Sequence, residues 1–247
     1  MSMYLFAKLA HILGFVYWLG GDLGTFFGSK YVIDPSKSPE ARAMALKIML
    51  ACDQGPKIAM PLIFPLGMEM AASIGLIEII PALRVAVWIV ALIWCFNVNY
   101  LYFSSNAAVK KQVTRFDFWL RICAVIAITG YAVIGLAEEQ LIKADWISHK
   151  MLIFAVMVVF GLLIRIALKP FPADFRLLMT EGPSDALNAR LTRQMKLAKP
   201  WVWGIWAGLF ANAMIGVHLL NGSIMLVAFV CLLPLPLLYL ANRRYPA

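Results

Sequence analysis

Long apolar blocks are the feature that most constrains the fold of this chain. Seven of them cover about residues 3–28, 43–78, 82–106, 117–141, 147–168, 200–220 and 223–241. A helix of roughly 20 apolar residues crosses the ~30 Å hydrocarbon core of a bilayer. Only 14% of the residues are charged and 62% are hydrophobic, which is too little charge for a water-soluble surface. The sequence therefore predicts an all-α, polytopic transmembrane bundle of about seven helices, with 1–247 as a single integral membrane domain.

Two of these blocks carry further structural signals. The second block is too long for one simple span, and Pro56, Pro61 and Pro65 should kink it, because proline removes a helical hydrogen bond. Its first two turns are expected at the membrane interface. The sixth and seventh blocks meet at Asn221-Gly222, a dipeptide typical of tight turns. These two helices should form an antiparallel hairpin.

Lysine and arginine are unevenly distributed among the connections between blocks. Basic connections alternate with connections that are poor in positive charge and include Glu138, Glu139 and Asp145. Because positive charge is retained on the cytoplasmic side, we expect a multi-pass protein of the bacterial inner (plasma) membrane, with its N terminus outside and its C terminus in the cytoplasm. The net charge of +9 follows from this sorting and does not indicate a nucleic-acid partner. The basic residues are Lys30, Lys37, Arg42, Lys110, Lys111, Arg115, Arg165, Lys169, Arg176, Arg190, Arg193, Lys196, Lys199, Arg243 and Arg244.

The stretch 170–199 is the only sizeable segment outside the apolar blocks. Leu187, Leu191, Met195 and Ala198 recur at helical spacing within it. This amphipathic pattern predicts a cytoplasmic segment with a helix that lies at the membrane interface. At the other end of the chain, no basic region or cleavage site marks a signal peptide, so the first helix is expected to be retained.

The cysteines exclude several kinds of site. They fall in four different apolar blocks and form no CxxC or CxxCH motif, which argues against a disulfide framework, a zinc ribbon and c-type haem attachment. No Walker, Rossmann or serine-hydrolase signature occurs either. The four cysteines are Cys52, Cys95, Cys123 and Cys231.

Three histidines, His11, His149 and His218, are the only imidazoles in the chain. The predicted topology puts all three in the outer half of the membrane, with His11 roughly 12 Å below the outer end of the first span. Imidazole is a common ligand of haem iron and other transition metals, so all three are candidate metal ligands. The alternative for each is a histidine that only forms hydrogen bonds within the bundle or at the interface.

Other ionisable side chains at membrane depth also need partners. Asp53 and Lys57 are four residues apart and can pair on one helical face. Arg165 and Asp22 have no partner that the sequence identifies. Glu69 is a candidate proton relay or cation ligand, against simple hydrogen bonding to a neighbouring helix.

Methionine and glycine patterns have two interpretations each. Thirteen methionines would suit soft-metal transport, but methionine also fills irregular cores. Met68 and Met70 flank Glu69 and are the methionines that a copper path would use. Small residues at spacing four predict close helix packing, and the grooves that they form can also admit a flat macrocycle. These residues are Gly20, Gly24, Gly28, Gly204 and Gly208.

Two segments resemble one membrane-protein family. The opening AKLAHILGFVYWLGG, with Lys8, His11 and Trp18, is similar to the first helix of the HemJ-type protoporphyrinogen oxidases and the related CopD-like copper-resistance proteins. The segment WISHKMLIFAVMVVFGLLIR resembles that family's helix with tryptophan, histidine and lysine at its start and arginine at its end. Here those residues are Trp146, His149, Lys150 and Arg165.

The resemblance implies a helical bundle that binds haem b through the first-helix histidine, His11. Two departures limit what it transfers. His149 directly precedes Lys150, whereas the family pattern usually has one residue between them, a difference of about 100° around a helix. The chain also has more spans than the compact four-helix members, so porphyrinogen oxidation itself does not follow.

A haem site sets further requirements. Axial imidazoles hold the iron, and cationic groups hold the propionates near the interface. His11 is the first expected ligand, and His218 is preferred to His149 as the second because it is expected to lie inside a helix, within the apolar run AMIGVHLL. Arg84 and Lys150 are expected to meet propionates. The expected ring neighbours are Trp18, Tyr17, Trp203 and Trp206.

We therefore expect a haem b membrane redox protein that carries electrons between a membrane quinone and a partner protein or small substrate near the outer face. The quinone is inferred from location, not from a motif. One alternative is a haem-dependent oxidoreductase of the HemJ type, and a second is a CopD-like copper importer that uses His11, Met68, Met70 and Glu69. A third is a structural membrane subunit. A homo-oligomer is left open.

Overall fold

The computed structural model describes residues 2–245, and within them the fold is all-α, as predicted. Ten helices follow one another without a β-strand among these residues. They are α1 (Ser2–Val32), α2 (Pro39–Cys52), α3 (Gln54–Ser73), α4 (Pro81–Phe103), α5 (Ala107–Ala137), α6 (Asp145–Ala167), α7 (Phe171–Glu181), α8 (Asp185–Gly216), α9 (Ile224–Leu232) and α10 (Pro234–Arg244).

Five helical stretches of the described chain are long and apolar enough to cross a membrane. The chain is accordingly a multi-pass membrane protein that associates with membrane lipid. The stretches are Met3–Val32, Pro81–Phe103, Ala107–Ala137, Asp145–Glu181 and Ile224–Arg244. The second and sixth predicted blocks are not in this set. The second corresponds to α2 and α3, and the sixth to the second half of α8.

Three predicted apolar blocks form helices whose starts and ends differ from those predicted. The second block breaks at Asp53, between α2 and α3, while Pro61 and Pro65 lie inside α3. The predicted interfacial helix and the sixth block form the single helix α8, which continues through Pro200. The seventh block is interrupted before Pro234, where α10 begins. Tertiary packing keeps the internal prolines within helices, although each removes one backbone hydrogen bond.

Neighbouring helices run antiparallel and follow the order α1, α3, α4, α5, α6, α8 around the bundle, with α9 and α10 against α8. The two ends of the bundle are therefore distinct. The cavity end holds the start of α1, the α3–α4, α5–α6 and α8–α9 connections, and the start of α6. The basic end holds the end of α1, the α4–α5 connection, α7 and the start of α8.

Helix α6 is the most enclosed element. Half of the apolar stretch that contains it is buried (50%), whereas the share in the other four membrane stretches is 11–22%. Two glycines of α8 allow α8 to pack closely against α6. A Cβ at Gly204 would lie 2.6 Å from Phe160, and a Cβ at Gly208 would lie 2.6 Å from Met157. The core of the bundle thus forms around α6.

The predicted glycine ridge on α1 is used in part. Gly24 and Gly28 pack against Cys52 and Met49 of α2, whereas Gly20 has no atom within 4 Å of the position a Cβ would occupy. Gly21 packs closely instead, because a Cβ there would overlap the Pro56 ring. The ridge serves contact between α1 and the broken helix pair α2–α3.

A second, smaller core lies at the basic end. It joins the end of α1 with α2, α7 and the start of α8. The four apolar positions of the amphipathic pattern, Leu187, Leu191, Met195 and Ala198, are all buried. Arg42 is also buried here, where it donates to Val32 O (2.8 Å) and to Asn188 Oδ1 (2.8 Å).

Candidate functional site

A cavity of about 540 Å³ lies at the cavity end, between α1, α3, α6 and α8. Tyr4 and Trp18 both line it. They are 14 residues apart on one helix, so the cavity extends about 21 Å along α1. The space is large enough for a ligand of cofactor size, and it is flanked on one side by the enclosed helix α6.

Aromatic side chains form the deep part of the cavity. Phe64 and Phe154 are stacked with ring centroids 5.3 Å apart, and Trp18 meets Phe154 edge-on at 6.1 Å. Trp18 is almost completely buried. The deep part is therefore apolar and rigid, as expected for a surface that contacts a flat hydrophobic ligand.

His11 lines the cavity and is held in a defined orientation. Its Nδ1 lies 2.9 Å from Ile63 O, so the ring donates this hydrogen bond as the tautomer with its proton on Nδ1. A Cβ at position 67 would lie 3.1 Å from His11 Cε1, so Gly67 provides the space for the ring. Nε2 is left as the nitrogen with a free lone pair, the arrangement usual in a metal-binding histidine.

Lys150 supplies a positive charge to the same cavity. Its Nζ lies 5.8 Å from the Trp146 ring centroid and only 2.8 Å from where a Cβ of residue 216 would stand. Gly216 thus leaves room for the ammonium group. Asn212 donates to Lys150 O (3.3 Å), while its Oδ1 is buried without a partner among the described residues.

The charges that line this cavity are all of one sign. Lys8 and Lys150 line it together with His11 and His218, and no Asp or Glu is among its lining residues. Two ammonium groups without a neighbouring carboxylate favour an anionic ligand. The cavity is suited to a molecule with a large apolar body and acidic substituents.

His218 lies at the mouth of the cavity, two residues after α8 ends at Gly216, and not inside a helix as predicted. It is exposed and has a φ of 57°, a left-handed conformation that is unusual for a residue with a side chain. Its ring meets Trp146 edge-on at 5.3 Å. Both residues also line a second, polar cavity of about 430 Å³ that includes Glu139, Lys143 and Asp145. The two residues therefore stand between an apolar cavity and a polar one.

Six predicted residues do not line the cavity: the expected ring neighbours Tyr17, Trp203 and Trp206, and the expected site residues His149, Arg84 and Glu69. His149 lies on another face of α6, next to Gly222, and its Nδ1 is buried without a partner among the described residues. Arg84 is directed to Glu69, with Nε 3.3 Å from Oε1. Trp88 also donates to Glu69 Oε1, at 3.2 Å. Glu69 is thus bound to residues of α4. Its neighbours Met68 and Met70 both line the cavity, whereas Glu69 does not.

Arg165 has partners that sequence reasoning missed. Asp117 is fully buried and its Oδ2 accepts from Arg121 Nε at 2.9 Å and from Arg165 Nη2 at 2.7 Å. The Arg121 guanidinium also lies 4.7 Å from the Trp94 ring centroid. The four-residue spacing of Asp117 and Arg121 was the available signal. We name Asp117, Arg121 and Arg165 the buried ion cluster.

Two further acidic groups lie in the same half of the bundle. Asp53 pairs with Lys57, as the sequence predicted. The side chain of Asp22 is close to Trp18, Trp206 and Asp53, and its Oδ2 is buried without a hydrogen-bond partner among the described residues. Asp117 and Asp53 thus have basic partners in this half, whereas Asp22 forms no ion pair among the described residues.

Within residues 2–245, no cluster of three or more His, Cys, Asp and Glu side chains could hold a metal ion. A haem iron requires fewer protein ligands, since the porphyrin supplies four nitrogens and the chain one or two. Comparison of the chain with family models, curated proteins and solved structures gives no match. The interpretation of the site therefore rests on its own geometry.

Proposed function

We propose that this chain is a haem b-binding integral membrane redox protein of the bacterial inner membrane. It would carry electrons between a membrane quinone and a partner protein or small substrate near the outer face. The observation that carries this proposal is His11, whose Nδ1 is fixed by Ile63 O and whose Nε2 remains available in a large cavity. The basic end would face the cytoplasm under the positive-inside rule, which puts the cavity near the outer face.

The residues present fit the group. His11 would ligate the iron, while Lys8 and Lys150 would bind the propionates, since no carboxylate lining the cavity competes for them. Trp18 and the stacked pair Phe64–Phe154 would contact the apolar ring and exclude water from it. When bound, haem supplies one-electron transfer.

His218 is a better candidate than His149 for the second iron ligand, because His218 lines the cavity and His149 does not. Its exposure at the mouth would also place it at the point where a partner or small substrate approaches. His149 instead belongs to the packing between α6 and the α8–α9 connection.

The copper alternative has less support from this arrangement. It requires His11, Met68, Met70 and Glu69 to act on one ion, but Glu69 is bound to Arg84 and Trp88 on α4. The HemJ-like alternative uses the same cavity, because a reduced tetrapyrrole is also a large apolar ring with acidic substituents. Turnover of such a tetrapyrrole by the purified protein would separate it from simple electron transfer.

The test is a visible spectrum of the protein purified in detergent after expression with adequate haem supply, oxidised and then reduced with dithionite. We expect a Soret band that is lost in His11→Ala and retained in the matched control His149→Gln. His218→Asn keeps a residue that tolerates positive φ, so a spectral change in it reports the imidazole. An unchanged spectrum in His11→Ala would remove the assignment.

A further inference from the structure

A cluster of lysines lies at the basic end, where α1 and α8 meet. Lys30 Nζ is 5.5 Å from the Phe26 ring centroid and 4.6 Å from that of Phe27. Lys199 Nζ, from α8, is 5.0 Å from the centroid of the same Phe26 ring. Two ammonium groups from different helices therefore share one aromatic ring. Lys196 lies three residues before Lys199 on α8, and its Nζ is 5.6 Å from the Tyr245 ring centroid. We call Lys30, Lys196 and Lys199 the lysine cluster.

The charges of the lysine cluster are not compensated within the described chain. None of the three lysines forms an ion pair among residues 2–245. Burial lowers the pKa of Lys199, and the charges of Lys196 and Lys30 lower this pKa further, with no carboxylate acting in the opposite direction. Such mutual repulsion is relieved when an anion binds between the ammonium groups.

The surroundings of the cluster are apolar. Phe27 and Tyr31 are 52% and 58% exposed on α1, in the last two turns of this membrane-spanning helix. Phe26 packs against Trp206 with centroids 5.2 Å apart. A ligand here would meet positive charge beside a lipid-facing apolar surface. An anionic phospholipid matches both, because its phosphate group is negatively charged and its acyl chains are apolar.

We propose that Lys30 and Lys199 bind the phosphate group of an anionic phospholipid at the basic end of the bundle, with its acyl chains along the exposed aromatic face of α1. Lys196 adds positive charge to the same site. Lys30 is 12 residues beyond Trp18, so this site lies about 18 Å along α1 from the deep end of the 540 Å³ cavity, and it does not depend on haem binding. It would favour a membrane in which the leaflet at the basic end is anionic.

The experiment measures thermal unfolding of the full-length protein in detergent by tryptophan fluorescence, titrated with phosphatidylglycerol. Phosphatidylcholine is the neutral lipid control and inorganic phosphate the soluble anion control. We expect phosphatidylglycerol, but neither control, to raise the midpoint temperature of unfolding. Each lysine near a membrane surface contributes about 1 kcal/mol, so K30Q/K199Q should need on the order of 25-fold more lipid for half the effect.

Two further variants define the cause. K30R/K199R keeps both charges and should retain lipid binding. K37Q/K111Q removes the same net charge from exposed lysines at the same end and should behave like the unmodified chain. Since Lys30 is exposed, K30Q alone, with a roughly fivefold expected loss, provides the measurement if the double glutamine variant does not fold.

Several results would overturn the proposal. They are an unchanged phosphatidylglycerol titration in the glutamine variants, equal protection by phosphatidylcholine, or an equal loss in the K37Q/K111Q control or in K30R/K199R. Protection by inorganic phosphate that also requires Lys30 and Lys199 would overturn the lipid as the source of the anion and assign the site to soluble phosphate.

Discussion

The cavity and the buried ion cluster both hold ionisable groups within an apolar bundle, but only those of the ion cluster have partners of opposite charge. Around Asp117, each charge has a partner of opposite sign within 3 Å. Lys150 and His11 instead line a cavity, and no carboxylate is among its lining residues. Paired charges stabilise a particular packing of helices, whereas unpaired charges beside a cavity are set up to meet a ligand. Both regions contain basic side chains. The presence or absence of a carboxylate partner decides whether such a side chain stabilises the packing or can bind a ligand.

The largest expected effect breaks the paired region. In Asp117→Asn the guanidinium groups of Arg121 and Arg165 lose their shared counter-charge inside the bundle. Removing one member of a buried ion pair costs about 3–5 kcal/mol, so the midpoint of unfolding should fall sharply in thermal or detergent titrations. The matched control is Glu78→Gln, which opens the exposed pair with Lys143 and should cost less than about 1 kcal/mol. Equal losses in the two variants would contradict the distinction.

A smaller effect is expected from removing charge in the cavity. Lys150→Met should leave the fold intact, because no carboxylate loses a partner, and should weaken retention of an anionic ligand. A charge-assisted contact contributes about 1.5 kcal/mol, which corresponds to roughly tenfold faster haem transfer to a scavenger protein. Lys143→Met removes the same charge outside this cavity. Haem that leaves both variants at the same rate would show that Lys150 does not bind it.

The smallest expected effect concerns the orientation of His11. A methyl group at Gly67 would lie 3.1 Å from His11 Cε1, so Gly67→Ala should turn the ring away from its bond to Ile63. The cost is about 0.5 kcal/mol, or roughly a twofold loss of affinity for the proposed haem, with a shifted visible band. Gly20→Ala is the control, because no atom lies within 4 Å of its Cβ position. An identical spectrum in both variants would mean that the ring tolerates the displacement.

Part of the site could be predicted from the sequence. His11, His218, Trp18 and Lys150 were identified from residue type and resemblance, and all four line one cavity. The Asp53–Lys57 pair followed from its spacing. An imidazole or a charge in an apolar helix is costly without a partner or ligand, so its presence is informative before any packing is known.

Other assignments depended on the direction of a side chain around its helix. His149 and Lys150 are adjacent in sequence, but only Lys150 lines the cavity, since one residue rotates a side chain by about 100°. Glu69 and Arg84 were considered separately in the sequence, and the structure joins them. Asp117 was missed because it stands at the boundary of a predicted span, where a charge needs no explanation.

The sequence by itself determined the all-α membrane fold, because apolar blocks of this length must satisfy their backbone hydrogen bonds internally as helices. It also determined the sorting of basic residues to one end. Only the tertiary structure decided which polar groups face one another and which face the cavity. Periodicity gives each residue a position on its own helix, whereas the neighbour that it meets depends on how six or more helices pack around α6.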